Sequence, residues 1–581
     1  MTIRMDKELV SAAARGDASK VAELLSKGAR VEARYLGFTS LLVAAQFGHT
    51  ELCELLLDKG KSNIEETGPD GSTALMLAAN DGHASAVALL LSKGAKLDKK
   101  NERGITPLMA AVRLGHAEVC KLLLDTGKAN VKETGPEGIT PLLEAVFLCH
   151  TEVCELLLDM GKSDIEETGP DGSNALILAV IEGHASTVAL LLSKGARVDV
   201  RNQGFTPLLV AAQFGNTECC ELLLDKGKSN IEETGPDGSD ALMLAANSGH
   251  ACTVALLLSK GANVDKKDEK GNTALLAAAN FGHTEVCKLL LKTGKANVKD
   301  ATPDGFIPFL LAAVFGHTEI CELFLDLGKV NIEETVPDGS TALMLAANGG
   351  HACTVSLLLS KGAKVGTRNE NGCTSLMAAA QKGHTEVCEV LLDKGRVNLE
   401  ETDPLGFQVG NTALRKAAMN GHAMTVELLL SKGAKANVDG TKPDFTPLIV
   451  ASQNGHTEVC ELLLANGSDL KETKPETLHT ALHIAALNGN QSLLQLLLSH
   501  KADVNSRSRT EFTPLHCASQ EGHLASVLTL LKAGADPLQP QQSGGLPIHQ
   551  AAQCNHSEVV RMLIKQGGCS PDQVRHISSS S

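Results

Sequence analysis

The sequence runs to 581 residues, 43% hydrophobic and 21% charged, with a formal charge of −15 and a pI near 5.7. That length lies far beyond one compact core and demands several domains or a repeat array. The acidic balance, without a basic stripe, excludes nucleic acid and anionic lipid as partners, and the absence of Trp, with one tyrosine (Tyr35) and 13 Phe, argues against a large enzyme core.

The chain opens on mixed polar residues, Met1 to Ser11, without the apolar stretch of a secretory signal. No apolar run approaches the roughly 18 residues that a membrane span needs. No membrane insertion is therefore expected, and the cytoplasm is the expected compartment, with the nucleus also open. Residues 1–36 predict two helices with no preceding turn segment, polar at Lys7, Glu8 and Asp17, and read as an N-terminal capping repeat.

A Gly-His pair then marks a period: Gly48-His49, Gly82-His83, Gly115-His116, Gly183-His184, and onward at Gly249, Gly282, Gly316, Gly350, Gly383, Gly421, Gly455 and Gly522. Degenerate copies stand at Gly16-Asp17, Cys149-His150, Gly215-Asn216, Gly489-Asn490 and Asn555-His556. Together they give 17 units, spaced by 32 to 34 residues except for one spacing of 38. Such self-similarity is the signature of a stacked array. Each period predicts the same parts. A short helix rich in Leu and Ala, such as Thr73 to Ala79, ends at Gly82, which accepts the left-handed backbone that a helix terminus uses. A second helix, Ala84 to Ser92, places Val87, Leu90 and Leu91 on one face, and an extended finger with turn residues, often Gly-Pro-Asp-Gly, leads to the next unit.

The units come in two flavours. One carries a Cys helix of the type Glu-Val-Cys-Glu-Leu-Leu-Leu and an acidic finger, Asn63 to Gly71. The other carries Ala-Leu-Leu-Leu-Ser-Lys-Gly-Ala and a mixed finger, Asp98 to Arg103. A block of five units recurs at an offset of 167 residues, so Gly37 to His83 matches Gly204 to His250 almost letter for letter. This duplicated array spans 37–406. An insertion near Phe407-Gln408-Val409-Gly410 produces the long spacing, and Arg415 and Lys416 follow where other units hold Met-Leu or Leu-Leu. Charges at packed positions need partners. The expectation is a weakened junction, opening a second, less regular array over 407–544; the alternative is that the long stems reach solvent. Residues 545–573 read as a C-terminal capping repeat and 574–581 as a polar tail.

The recurring pattern Gly-x-Thr-Pro-Leu-x-x-Ala-Ala-x-x-Gly-His-x6-Leu-Leu-x-x-Gly-Ala resembles the ankyrin repeat over essentially the whole chain. The resemblance implies an all-α repeat fold, an ankyrin-repeat solenoid of about 17 helix-turn-helix units with hairpin or loop fingers. A helix pair of this size cannot bury its own apolar face and must stack on copies of itself. Most units depart from the family in lacking His after Thr-Pro-Leu; His483, His516 and His549 alone supply it.

No residue set points to chemistry. Eight of the 16 Cys (Cys53, Cys120, Cys154, Cys220, Cys287, Cys321, Cys388 and Cys460) share one helix slot and are expected to be reduced packing residues. Fourteen His share the Gly-His slot, one repeat apart, where a hydrogen bond to the neighbouring turn is the expected role. Zinc spacings and a phosphate-cradling loop are absent, and the acidic fingers lack the alternating oxygens of a calcium loop. No catalytic residue, cofactor or metal site is expected.

The expected function is a non-catalytic scaffold or adaptor, monomeric, that binds one or more proteins. In the ankyrin family targets commonly lie on the concave face of finger tips and first-helix ends. The candidate contact residues there are Phe47, Leu114, Phe147, Leu148, Phe214, Phe281 and Phe315, just before the Gly-His slot, rimmed by Glu65, Glu66, Glu232 and Glu233. Packing of each ring against the next repeat is the competing reading. The alternative functions are a substrate-recruiting subunit of a ubiquitin ligase, for which the residues after Gly545 leave no room for an added box, or the ankyrin part of a larger regulatory protein.

Overall fold

A computed structural model describes residues 2–126, 128–403, 411–437 and 445–570. The described residues form 34 helices, 17 antiparallel pairs, and no strand longer than an isolated bridge. They divide into two compact units, Met1–Phe281 with Glu285–Ala296, and Gly282–Thr284 with Asn297–Ser581. In both, the first helix of a pair has seven or eight residues and the second usually nine, apart from the longer helix Thr2–Ala14 that opens the chain and the 11-residue second helices of the repeats at Thr385 and Ser557.

Most first helices are capped by the threonine that opens the motif: Thr39, Thr73 and Thr106 accept from the backbone N–H three residues on, and Asn174 and Asp240 do the same in their repeats. They are buried almost throughout, as at Ala74, Leu75, Met76, Ala78 and Ala79, and the alanines let neighbouring first helices approach closely. Second helices bury one face only, such as Ala86, Val87 and Leu90. The acidic fingers are turns closed at their base by single antiparallel bridges, such as Thr67 to Thr73 and Thr234 to Asp240.

The Gly-His slot is an inter-repeat lock. Gly215 has φ +73°, and a Cβ there would lie 2.4 Å from Nδ1 of His250, one repeat later. The ring covers the glycine while its Nε2–H donates to Gln213 O at 3.1 Å. His83 does the same over Gly48, donating to Gln46 O at 2.9 Å. Where the slot degenerates, the geometry adapts. Asn216 donates through Nδ2 to Val180 O at 2.7 Å. Above Cys149, which holds the left-handed backbone at φ +59° despite its side chain, His184 turns to use Nδ1 toward Val146 O at 3.0 Å.

Where an Ala-type repeat follows a Cys-type one, the two are joined by a recurring set of links. At five interfaces where a Cys-type repeat is followed by an Ala-type one, the lysine of Ser-Lys-Gly-Ala meets the last aspartate of the Cys helix. The pairs are Lys93–Asp58, Lys194–Asp159, Lys260–Asp225, Lys361–Asp326 and Lys432–Asp393, all at 2.5–2.6 Å. At the same interfaces Glu65, Glu166, Glu232, Glu333 and Glu400 accept from the backbone N–H of Lys96, Arg197, Asn263, Lys364 and Lys435 at 2.8–3.0 Å. The exposed ion pairs add little; the charge-assisted bonds to backbone are the stronger link.

The charges at Arg415 and Lys416 are held within the array and their stems do not reach out to solvent. Arg415 is buried, and its guanidinium lies 5.9 Å from the Phe445 ring centre. Lys416 Nζ lies 3.1 Å from Asp403 Oδ2, with the lysine side chain 12% exposed and the aspartate 1%, and it also donates to Gln381 Oε1 at 3.2 Å. The intruding lysine thus has a buried counter-charge that compensates it. The insertion at Phe407 to Gly410 and the tail at 574–581 lie outside the described residues.

Candidate partner-binding face

The residues just before the Gly-His slot end the first helices. The chain reverses there at a residue with left-handed backbone, a glycine in most repeats and Cys149 after Leu148. Phe214 and Phe281 are the last residues of their helices, and Phe47 and Phe315 are C-caps. Phe47 is 54% exposed, Phe214 53% and Phe281 55%; Leu114, Phe147 and Phe315 are about half exposed, and Leu148 less so. The Phe47 ring lies beside His49 with centroids 6.3 Å apart, and Phe315 stands likewise to His317. Each of these rings is thus partly covered by its own repeat and partly open to solvent.

These residues do not form one continuous row. Ala-type repeats place Asp81, Glu182 and Ser248 at the equivalent position. Leu114 and the Phe147–Leu148 pair fall on adjacent repeats, whereas Phe47 and Phe214 each stand between polar neighbours.

The finger glutamates behave differently from the finger aspartates. Glu65 and Glu232 accept backbone N–H groups of the next repeat, as above. Glu233 accepts from Thr206 Oγ1 at 2.6 Å, and burial raises its carboxyl above the ordinary range, as it does that of Glu66 beside Thr39. All four are half-buried and engaged within the array. The outward charge of these fingers belongs to Asp70, Asp171 and Asp237, which are exposed at the turn tips. Their oxygens also shape the turn, Asp70 accepting from Ser72 N and Oγ.

Among the described residues no cluster of three His, Cys, Asp or Glu is placed to hold a metal ion, and no helix is long and apolar enough to cross a membrane. The eight slot cysteines are free and buried. Burial pushes the thiols of Cys53, Cys120, Cys154, Cys220, Cys287, Cys321 and Cys388 up to about 12 and that of Cys460 up to about 11. Thiolate is the reactive form. Iodoacetamide at pH 8 is therefore expected to label Cys149, Cys252, Cys353 and Cys554, which are exposed, and to spare the slot cysteines. Peptide mapping of the native chain reads this directly, and a slot cysteine labelled as fast as Cys252 would contradict it.

The family model for three tandem ankyrin repeats matches residues 9–101, 97–169, 161–235, 226–302, 242–335, 309–403, 397–474 and 470–541, and the model for a single ankyrin repeat matches 543–576. No curated protein gives a significant match. Among solved structures, the human ASB11 ankyrin repeat domain is 26% identical, covering 43% of this chain and 96% of its own, with a TM-score of 0.32. Ankyrin repeats are in general protein–protein interaction modules. With matches running from residue 9 to residue 576, over a structure of stacked helix pairs, the chain belongs to the ankyrin repeat family.

Proposed function

We propose that the chain is a non-catalytic scaffold or adaptor that binds partner proteins on the face made by first-helix ends and finger tips. The observation that carries this reading is the recurrence of half-exposed Phe and Leu side chains at the ends of the first helices, with exposed aspartates at the finger tips, Phe147 and Asp171 lining one pocket together. Exposed apolar residues rimmed by charge mark interaction surfaces. The recurring histidines, cysteines and finger glutamates are engaged in stacking one repeat on the next. The many free, buried thiols suit a reducing compartment.

Partners captured by the full chain, identified by mass spectrometry, are expected to be lost from the double variant Phe214→Ser, Phe281→Ser. Surface changes of this kind shift stability by only about 0.5 kcal/mol, so the melting temperature should hold. A lowered melting temperature with an unchanged set of partners would assign the rings to packing and remove the basis for this reading.

A further inference from the structure

The duplicated repeats differ at one place where a residue exchange leaves a hole. In the repeats that begin at Phe38 and Phe205, the ring packs onto the glycine of the following finger: a Cβ at Gly68 would stand 3.3 Å from Phe38 Cε1, and one at Gly235 3.0 Å from Phe205 Cε1. In the repeat at Phe306 the finger position is a valine, Val336, which is itself buried. The repeat that begins at Ile139 has neither filling. The isoleucine replaces the phenylalanine, Gly169 keeps the finger bare, and an aromatic ring stands instead at the helix end as Phe147, where the sister repeats hold Gln46 and Gln213.

The result is a pocket of about 420 Å³ walled by Ile139, Leu143, Phe147 and Leu178, with Glu137 and Asp171 lining it as well. Both carboxylates are exposed, and no Lys or Arg is among the described residues that line it. Its volume lies within the roughly 300–1,000 Å³ of ordinary ligand sites, which are apolar with a few placed polar groups. Leu114 and Leu148 add exposed apolar surface on the preceding and the same repeat. The pair of carboxylates over an oily floor complements a side chain that is apolar and carried next to positive charge.

We propose that this pocket is the anchor site for a basic segment of a partner polypeptide, taking one branched or aromatic side chain that adjoins a lysine or arginine. The proposal rests on the scaffold reading above and adds the place and the chemistry of the contact. It also explains why an array built by duplication departs from its own copies at Ile139 and Phe147: the exchange gives up packing and gains a cavity.

The chain supplies its own controls. Gly169→Val copies Val336, and Gly169 has no left-handed backbone to forbid it; the added Cβ would sit 3.5 Å from Leu143 Cδ1 and 3.3 Å from the exposed Asp171 carboxylate. Ile139→Phe copies Phe38 and Phe205. Both fill the pocket with residues that the fold already accepts at that position, so the melting temperature should stay level or rise. A random peptide display library is panned on the immobilised full chain, and the selected peptides are synthesised and titrated by fluorescence anisotropy. Selected sequences should place an apolar residue beside Lys or Arg, and should weaken at least about tenfold on each variant. Peptides that bind both variants as tightly as the parent, or that lack a cationic residue, overturn the pocket. If those peptides are instead sensitive to Phe214→Ser, the scaffold reading stands without it. A library yielding no binder to any form removes both.

Discussion

Replacing Lys416 with leucine, the residue that the Ala-type repeats carry there as Leu77, Leu178, Leu244 and Leu345, is expected to destabilise the chain by about 3 kcal/mol, although it looks like a return to consensus. The cause is Asp403. It occupies the position of Gly68 and Gly235, is 1% exposed, and depends on Lys416 Nζ at 3.1 Å and on Asn411, whose Nδ2 donates at 3.2 and 3.3 Å to its two oxygens. Without the lysine an ionised carboxylate stays buried with only amide donors, and burying a charge without its counter-charge is among the most destabilising single defects. Asp403→Gly alone should also destabilise, leaving the ammonium with Gln381. The double variant Asp403→Gly, Lys416→Leu rebuilds the glycine–leucine combination of the other repeats and should lie within about 1 kcal/mol of the parent, because buried ion pairs are readily exchanged for apolar packing. Urea unfolding followed by circular dichroism on the four proteins closes a double-mutant cycle. A single Lys416→Leu as stable as the parent would show that the pair is not coupled.

That pair illustrates where the sequence could be read and where it could not. The fold was legible because its signal is repeated: spacing, Thr-x-Leu caps, Ala-rich first helices and Gly-His turns each recur, and one noisy copy is corrected by the others. The free, packed cysteines and the histidine bonds to the preceding turn followed from the same periodicity. What escaped was what is written once, and those contacts between repeats that no recurring motif marks. Arg415 and Lys416 were visible as intruding charges, but Asp403 lies before an insertion and stands where a glycine is usual, so the compensation could not be matched to the intrusion. Glu65 and Glu232 read as outward finger charge, yet each bonds to a backbone N–H 31 residues on, a pairing that depends on how one repeat sits upon the next. The existence of two flavours of unit was plain, while the links made where an Ala-type unit follows a Cys-type one depend on how the two repeats sit together. The exchange of Phe38 for Ile139 and of Gln46 for Phe147 was present in the aligned copies and is the one signal that could have found the pocket.

The second large effect is a selective loss of the late repeats in mild acid. Among the described residues, His483 and His516 alone combine the helix-capping reach to Thr480 and Thr513 with full burial: Nδ1 lies 2.9 Å from each threonine Oγ1, and Nε2 donates to Phe512 O at 2.9 Å and Gly545 O at 3.2 Å. Burial is the main cause that holds both imidazoles down at about 4; the bonds to Phe512 O and Gly545 O push the other way, and His479, stacked on His483 at 5.2 Å, and Arg507 near His516 reinforce the lowering. The folded chain thus binds these protons less readily than the unfolded chain does. Stability is complete above the ordinary imidazole range near 6.5 and drains away as pH falls toward 4, by about 2 kcal/mol for each histidine at pH 5. The early repeats lean the opposite way, since burial raises the carboxyls of Glu66, Glu167 and Glu233 and acid then favours their folded form. Hydrogen exchange, corrected for intrinsic rates, should therefore show protection falling between pH 7 and pH 5 in the repeats from Thr480 to Gly534 while those before Phe281 hold. His483→Met and His516→Met, which install the residue found at Met76 and Met243, should flatten that dependence while losing a cap worth about 1 kcal/mol. Equal loss of protection in the early repeats, or an unchanged slope in the methionine variants, would mean that the two imidazoles do not govern the acid response. A repeat array is stabilised by the sum of its interfaces, so two buried histidines in adjacent repeats are expected to concentrate the acid-induced loss of protection in that stretch.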